Sequence, residues 1–333
     1  MHKNSCVRRK LVMAGLSAGS AGAFIPGVVR AQGSPWPSRP IRMVVPWPAG
    51  GLVDIAARQL ASRLQTALGQ PVVIENRVGA GGSLGAEHVS RAPADGHTLL
   101  FATSSLTVGA AIQARPSFRP MQDLQPVALV ANAPSILVAG PSIQVNSLKE
   151  LLDLAHRRPG QLTYASAGIG SFAHLVVERF KAENRIFAVH VPYTGAPGAM
   201  NDQLAGRIDF QMANITVALP HVKSGRVKAL AITSRERFPG LPDTPTMIEA
   251  GIKDFEADQW LGVLAPSGLP AAVSDRLSAE VNRALVDPAL REVLQQAGIQ
   301  VAAPGSMASF DSLMKAEFVR WQQVVRRQNL RME

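Results

Sequence analysis

Four segments of this 333-residue chain combine small, flexible residues with hydroxyl groups at the point where a predicted strand gives way to a predicted helix. They span residues 46–54, 102–110, 166–174 and 192–202. Glycine and alanine let an anion approach the backbone, and a helix N-terminus offers free N–H groups at the positive end of its dipole. Serine hydroxyls add donors at Ser104, Ser105, Ser166 and Ser171. This pattern predicts capture of a small anion.

Any one of these junctions is also typical of an ordinary tight connection between a strand and a helix. Their number favours the anion site, since all four share the same character and two fall in each half of the chain. Ligands of open α/β sheets bind beyond the carboxyl ends of the strands. We therefore expect the four junctions to face one another across a cleft.

The elements that must position these loops alternate between strand and helix. Apolar runs predict strands over 41–47, 71–77 and 97–103, and helical spacing predicts a helix over 54–69, with Asp54 as its N-cap and Gly69 as its stop. A second series of the same kind begins near residue 134. Continuous apolar strands alternating with helices indicate an α/β fold with a parallel sheet covered on both faces.

The N-terminal segment is typical of a secretory signal peptide. Residues 1–31 have a basic head, a glycine-diluted apolar core and small residues before a predicted cut after Ala31. The core is shorter than the roughly 20 strongly apolar residues that a membrane span requires. Arg8 and Arg9 leave the export route open between the Sec and twin-arginine pathways. We expect the mature protein in the periplasm.

Charge and cysteine content exclude several function classes. The whole chain has 34 basic and 24 acidic residues; residues 1–31 hold five of the basic ones and no acid, so the mature chain carries +5. Without a Lys/Arg-rich run, this balance does not support nucleic-acid binding, although it suits an anionic small molecule. The single cysteine, Cys6, lies in the predicted signal peptide. Disulfides, thiolate metal sites and cysteine nucleophiles are therefore excluded from the mature chain.

Several longer motifs resemble one family. They are "WPSRPIRMVVPWPAGGLVD", "LGQPVVIENRVGAGGSLGAEHV", "ADGHTLL", "LTYASAGIGSFAHL", "VPYTGAPGAMNDQLAGRIDFQM" and "WLGVLAPSGLP". In order and composition they are similar to the Bug family, the receptors of tripartite tricarboxylate transporters. These are extracytoplasmic solute-binding proteins. The resemblance covers essentially the whole mature chain.

The resemblance implies a two-lobed, type II periplasmic-binding-protein (Venus-flytrap) fold, in which each lobe is a mainly parallel sheet flanked by helices. It implies lobe 1 over 35–133 and 259–333 and lobe 2 over 134–258, with crossings near 130–138 and 255–262. It further implies a non-enzymatic monomer that needs no cofactor or metal and binds a small carboxylate through backbone amides and hydroxyls. The carboxylate is either delivered to membrane transporter subunits or sensed. The implied ligand-binding residues are Ala49, Gly50, Gly51, Val53, Asp54, Thr103, Ser104, Ala167, Gly168, Ser171, Gly195, Ala196, Pro197 and Asp202.

The first loop departs from the family pattern. Where the family has Gly-Gly-Gly-Thr-Asp, this chain has Gly-Gly-Leu-Val-Asp, with Leu52 and Val53 in place of a glycine and a hydroxyl. If Val53 faces the cleft, the ligand is more apolar than citrate or an acidic amino acid, and an aromatic or aliphatic carboxylate is favoured. Alternatively, both side chains point into the core of the lobe.

Three rival interpretations find less support. A dinucleotide-binding fingerprint beginning at Gly79 fails, because its sixth position is Leu84. An exported α/β-hydrolase-like enzyme using Ser171 and His174 is the main alternative, yet the chain has no G-x-S-x-G elbow. The histidines form no close pair or H-E-x-x-H motif of the kind that binds zinc.

Overall fold

The structure is a computed structural model that describes residues 36–113 and 117–327. The predicted signal peptide, with its cut after Ala31, lies outside the described residues. No helix in the described ranges is long and apolar enough to cross a membrane.

The first part of the chain alternates strands and helices as predicted. Its elements are β1 (Ile41–Val45), α1 (Leu52–Leu68), β2 (Val72–Asn76), a 3₁₀ turn (Ala80–Gly82), α2 (Ser83–Ser90), β3 (Thr98–Thr103), α3 (Ser105–Ile112), α4 (Pro120–Asp123) and the long β4 (Leu124–Ala139).

The second series begins after β4, and the chain ends in helices. Its elements are α5 (Leu148–Arg157), β5 (Leu162–Ser166), α6 (Phe172–Asn184), β6 (Ala188–Pro192), α7 (Ala196–Leu204), β7 (Phe210–Asn214), α8 (Ile215–Lys223), β8 (Lys228–Ile232), β9 (Asp258–Pro266), α9 (Ala271–Leu285), α10 (Pro288–Gln296), β10 (Gln300–Val301) and α11 (Met307–Arg327).

The strands are hydrogen-bonded in the order β2-β1-β3-β9-β4-β7-β5-β6, with β8 and β10 pairing to β4. The β1 strand is parallel to β2 and β3, and β5 is parallel to β6 and β7. All of the antiparallel pairs involve β4 or β9. Strand β4 runs directly from one half of the sheet to the other without a crossover helix. The α/β, two-lobed fold is confirmed, and its sheet is mixed rather than mainly parallel.

The two lobes share β4. Residues 124–134 of β4 pair with β9, whereas residues 135–139 pair with β7 and residues 136–139 with β8. We call the β1-to-β3, β9 and β10 side the first lobe and the β5-to-β8 side the second lobe. The chain returns where β9 begins, with Asp258 opposite Pro134. The exact residues at which the lobes hinge stay a prediction.

Helix α1 begins two residues earlier than predicted. Its N-cap is Gly51, not Asp54, which is the third residue of the helix. The carboxylate of Asp54 reaches back to accept the Gly50 N–H at 3.0 Å, so it closes the turn from within the helix. At the other end, the predicted stop is confirmed, since Gly69 adopts the left-handed conformation at φ 69°.

The core of each lobe lies between sheet and helices. In the first lobe, β1, β3 and β9 pack against the apolar faces of α1 and α9. In the second, β5 and β7 pack against α5 and α6. Helix α11 returns to the first lobe through Phe310 and Met314, while Trp321 meets Phe172 edge-on in the second.

Candidate functional site

A cavity lies between the two lobes, where the loops after β1, β3, β5 and β6 meet. Its walls are formed by Trp47, Pro48, Gly51, Leu52, Val53, Ser105, Ala167, Ser171, Phe172, Ala173, Ala196, Pro197, Asn214 and Gln259. None of these side chains is ionisable. The free volume is about 30 Å³, and a water molecule needs about 10–15 Å³ of such space. Such a space holds roughly two or three water molecules.

Three helix N-termini converge on this cavity. Helices α1, α6 and α7 have Gly51, Ser171 and Gly195 as their N-caps. Within the described ranges, the N–H groups of Gly51, Leu52 and Val53 donate to no protein acceptor. Free N–H groups at the positive ends of helix dipoles hold an anion without a charged side chain.

Two serine hydroxyls complete the polar wall. Ser171 Oγ accepts the backbone N–H of His174 at 3.3 Å, and Ser105 Oγ accepts the N–H of Phe172 at 3.0 Å. The second bond runs between the lobes, because Ser105 begins α3 and Phe172 begins α6. Each hydroxyl accepts through its oxygen and keeps its proton to donate to a ligand.

The lobes meet through bare backbone. A Cβ built on Gly195 would lie 2.6 Å from Pro48 Cγ, and one on Gly109 would lie 3.2 Å from the carbonyl oxygen of Gly170. Both distances are shorter than an ordinary contact between side chains. Glycine at these positions therefore allows the loops of the two lobes to close on one another.

Six of the residues implied by the family resemblance line the cavity: Gly51, Val53, Ala167, Ser171, Ala196 and Pro197. Two others border it. Gly195 is the N-cap of α7, and Gly168 lines an adjoining hollow between the lobes. Ala49 is exposed in the loop after β1. Their roles as ligand contacts stay a prediction.

Asp54 is turned away from the cavity and bonded within its own lobe. Its carboxylate accepts from Gly50, from Arg58 Nε at 2.8 Å and from Asn76 Nδ2 at 2.9 Å. Burial opposes ionisation of this carboxyl, but the three hydrogen bonds outweigh burial and hold its pKa below the usual value. Asp54 thus fixes the loop, and the Gly50 N–H is already used.

The second loop presents Ser105 rather than the residues before it. Ser104 is fully buried, and its Oγ accepts the N–H of Trp260 at 3.0 Å. Thr103 Oγ1 accepts the N–H of Ser105 at 3.2 Å, which fixes the start of α3. On α7, Asp202 accepts from Tyr193 Oη at 2.7 Å and pairs with Arg207, outside the cavity.

The side chains of Leu52 and Val53 contact both the core of the first lobe and the cavity. Their side chains belong to the core of the first lobe, with exposed fractions of 1% and 4%. Both nevertheless form part of the cavity wall, beside Trp47 and Phe172. The anion-binding backbone is therefore set in apolar surroundings.

Two stacked histidines brace the loop after β5. The rings of His174 and His190 lie 4.3 Å apart, and His174 Nδ1 accepts the N–H of Gly170 at 3.2 Å. His190 Nε2 lies 2.7 Å from Ser166 Oγ. Burial lowers the pKa of His174 and lowers that of His190 to about 4, with the charge of the neighbouring ring as a second cause for His190. Both rings are neutral at pH 7.

This arrangement does not support the hydrolase alternative. Ser171 Oγ bonds to the backbone N–H of His174, while the imidazole Nδ1 bonds to Gly170. The ring therefore does not take the serine proton. Within residues 36–113 and 117–327, no three His, Cys, Asp or Glu side chains group as a metal ion would require.

Some cavity residues escaped the sequence analysis. Asn214 ends β7. Because ligands of α/β sheets bind beyond the ends of strands, the sequence could have indicated this residue. Gln259 is the second residue of β9, between Asp258 and the apolar run that begins at Trp260, where no local pattern marks it.

Comparison with known proteins agrees with this geometry. The family described as "Tripartite tricarboxylate transporter family receptor" (TctC) matches residues 56–330. The chain belongs to this family. This receptor is similar to Protein BugT of Bordetella pertussis, with 36% identity over 96% of the chain and 97% of BugT.

Two solved structures have the same fold as the receptor. One is an R. palustris protein with adipate, at a TM-score of 0.84 and 32% identity, covering 88% of this chain and 98% of that protein. The other is MatC from Rhodopseudomonas palustris with bound malate, at a TM-score of 0.84 and 33% identity, covering 87% of this chain and all of MatC.

Proposed function

We propose that this receptor captures one small carboxylate in the cavity between its lobes and delivers it to membrane transporter subunits. The observation that carries this proposal concerns Gly51, Leu52 and Val53, which line a cavity without ionisable side chains and whose N–H groups have no partner within residues 36–113 and 117–327. Such a site compensates an anion by dipoles, and each charge-assisted bond contributes roughly 1.5–3 kcal/mol.

The comparisons support a carboxylate in particular. Two relatives of the same fold hold adipate and malate, which are both dicarboxylates. In this receptor, Trp47, Leu52, Val53 and Phe172 make the walls apolar. These walls favour an aliphatic or aromatic carboxylate over a densely charged acid such as citrate.

We further propose that the protein is a periplasmic monomer and performs no chemistry on its ligand. The basic, apolar and small-residue pattern of residues 1–31 supports export. The absence of a serine–imidazole pair at Ser171 and His174 supports binding without turnover.

A thermal-shift screen tests this function. The purified mature protein is heated with mono-, di- and tricarboxylates of three to ten carbons, aromatic acids, sugars and amines. We expect stabilisation by one class of carboxylate, which is recovered unchanged by NMR after incubation. Sugars or amines as the sole hits contradict the carboxylate assignment, and conversion of a hit into a product contradicts the binding role.

Ligand entry requires a hinge. We propose that the lobes turn about the two crossings, where β4 changes partners after Pro134 and β9 begins at Asp258. Saturation with a confirmed ligand should then decrease the radius of gyration in solution scattering. An unchanged radius, in a protein whose unliganded form is shown by the same method to be open, contradicts the hinge.

A further inference from the structure

One buried amide in the cavity has no partner. The side chain of Gln259 is only 5% exposed and lines the space between the lobes. Its Oε1 is completely buried and has no hydrogen-bond partner within the described part of the chain. Burying an amide oxygen without a partner costs about 1–3 kcal/mol. A ligand group that pairs with this oxygen offsets that cost.

Other buried amides of this protein are paired. Gln211 Nε2 donates to Gln203 Oε1 at 2.7 Å, and Gln203 Nε2 donates to the carbonyl oxygen of Val138 at 3.0 Å. These two glutamines are as buried as Gln259 but lie in the second lobe, away from the cavity. The unpartnered amide therefore coincides with the cavity wall.

Strand pairing fixes the position of Gln259 in the cavity wall. It is the second residue of β9 and pairs with Ala133, beside the crossing between the lobes. The next residue, Trp260, exchanges two bonds with Ser104, because Trp260 N donates to Ser104 Oγ at 3.0 Å and Ser104 N donates to the Trp260 carbonyl at 3.2 Å. A residue so close to the hinge moves little when the lobes part.

We infer that Gln259 determines specificity by hydrogen-bonding a second polar group of the carboxylate ligand, at the end away from the helix N-termini. This inference rests on the proposed function. A terminal hydroxyl donates to the buried Oε1, and Nε2 donates to the oxygen of a hydroxyl or of a second carboxylate, so the amide selects a chain that ends in oxygen. A chain ending in a methyl group leaves the amide unpaired and is rejected.

Two matched sets of probes test the inference: hexanoate, 6-hydroxyhexanoate and adipate, and butyrate, 4-hydroxybutyrate and succinate. Within each set only the terminal group changes. Calorimetry on the wild-type protein should show at least about tenfold tighter binding of an oxygen-ended probe than of the methyl-ended probe in one set. Gln259→Met should bring this ratio close to one. The hydroxyl and carboxylate arms show which terminal oxygen is selected.

Stability separates recognition from a structural role. Gln259→Met replaces an unpartnered amide by an apolar chain of similar length, so its melting temperature should stay equal or rise. The matched control, Gln211→Met, breaks the bond to Gln203; its melting temperature should fall while the probe ratio stays as in the wild type. Gln259→Asn, with its amide one methylene shorter, should shift the preference toward a dicarboxylate one carbon longer.

Each outcome decides between the claims. An unchanged probe ratio in Gln259→Met and an unchanged length preference in Gln259→Asn overturn the role of Gln259 and leave the proposed function standing. A fall in melting temperature with equal loss of all probes means that Gln259 is a structural residue. If the wild-type protein binds no carboxylate, the proposed function and the inference both fail.

Discussion

Gly81 of the first lobe lies directly against the carbonyl oxygen of Ile169 in the second. A Cβ built on Gly81 would be 2.6 Å from that oxygen and 3.1 Å from the backbone nitrogen of Ser171. The 3₁₀ turn that holds Gly81 thus touches the loop that supplies Ser171 to the cavity. In this structure the two lobes therefore touch through two stretches of backbone.

Gly81→Ala should therefore weaken ligand binding by preventing closure. The added methyl meets backbone rather than a movable side chain, so the lobes must stay apart, and we expect at least about a tenfold loss of affinity, or ~1.4 kcal/mol. Gly69→Ala is the control, since Gly69 has a similar φ (69° against 63°) but open space around its Cβ. An equal loss of affinity in both variants would show that backbone strain, not closure, causes the loss. Wild-type affinity in Gly81→Ala would contradict the prediction.

Thr233 links β4 to the residue that precedes β9, where the chain passes between the lobes. Its Oγ1 accepts the N–H of Ser135 at 2.9 Å and donates to the carbonyl oxygen of Ala257 at 2.8 Å. Thr233→Val leaves both buried groups unpaired and should lower the free energy of unfolding by about 1–3 kcal/mol in urea denaturation. The surface change Thr66→Val should stay within about 0.5 kcal/mol. A wild-type-like Thr233→Val protein would mean that the crossing does not need this link.

The stacked histidines should make the protein less stable in acid. The folded-state pKa of His190 is lowered to about 4 from 6.5, so the unfolded chain binds more protons between these values. Stability is fully present above pH 6.5, is lost as the pH falls toward about 4, and changes no further below. His190→Gln removes this titration. As the pH falls through this interval, denaturation curves should show that the free energy of unfolding decreases less in His190→Gln than in the wild type. Parallel pH profiles of the two proteins would argue against the assignment.

Asp258 at the second crossing should have the opposite effect. Burial, followed by the nearby charge of Glu256, raises the pKa of Asp258 to about 6, and its Oδ1 has no partner among the described residues. The folded protein holds a proton there that the unfolded chain loses near 3.8, so stability falls as the pH rises through this interval.

Asp258→Asn should consequently be more stable than the wild type at pH 7.5, with the difference shrinking below about pH 6 and vanishing near 3.8. Denaturant unfolding at several pH values measures this difference. The exposed Asp243→Asn should show no such gain. A stabilisation that is constant with pH would point to a packing effect instead of the buried charge.

The fold was predictable because its signals are local and repeated. Apolar strand runs and Gly69 at the end of α1 each have one simple structural meaning, and the structure confirms that Gly69 ends this helix. The mixed pairing of β4 and β9 was not predictable in this way. It depends on which strands cross the lobes directly, and that is a property of the whole chain.

The candidate site was predictable as a set of loops but not as a set of side chains. The choice between Ser104 and Ser105 depends on which serine hydroxyl faces Trp260 and which faces Phe172, and neither partner is near in sequence. Similarly, Asp54 bonds to Asn76 on a neighbouring strand. Gln259 lies in the cavity wall because β9 begins where the chain returns to the first lobe, and no local sequence pattern indicates this.

The central claim is that a ligand carboxylate binds the free N–H groups at the start of α1. Gly51 has φ −84°, which any residue adopts, and a Cβ there would meet only the Pro48 carbonyl oxygen at 3.6 Å. Gly51→Val should therefore fold with an unchanged melting temperature while its branched side chain fills the anion position. The direct measurement is calorimetric titration of both proteins with the best carboxylate of the screen. We predict at least about a tenfold, or ~1.4 kcal/mol, loss of affinity in Gly51→Val. Equal affinity in the normally folded variant would contradict the account and place the anion elsewhere.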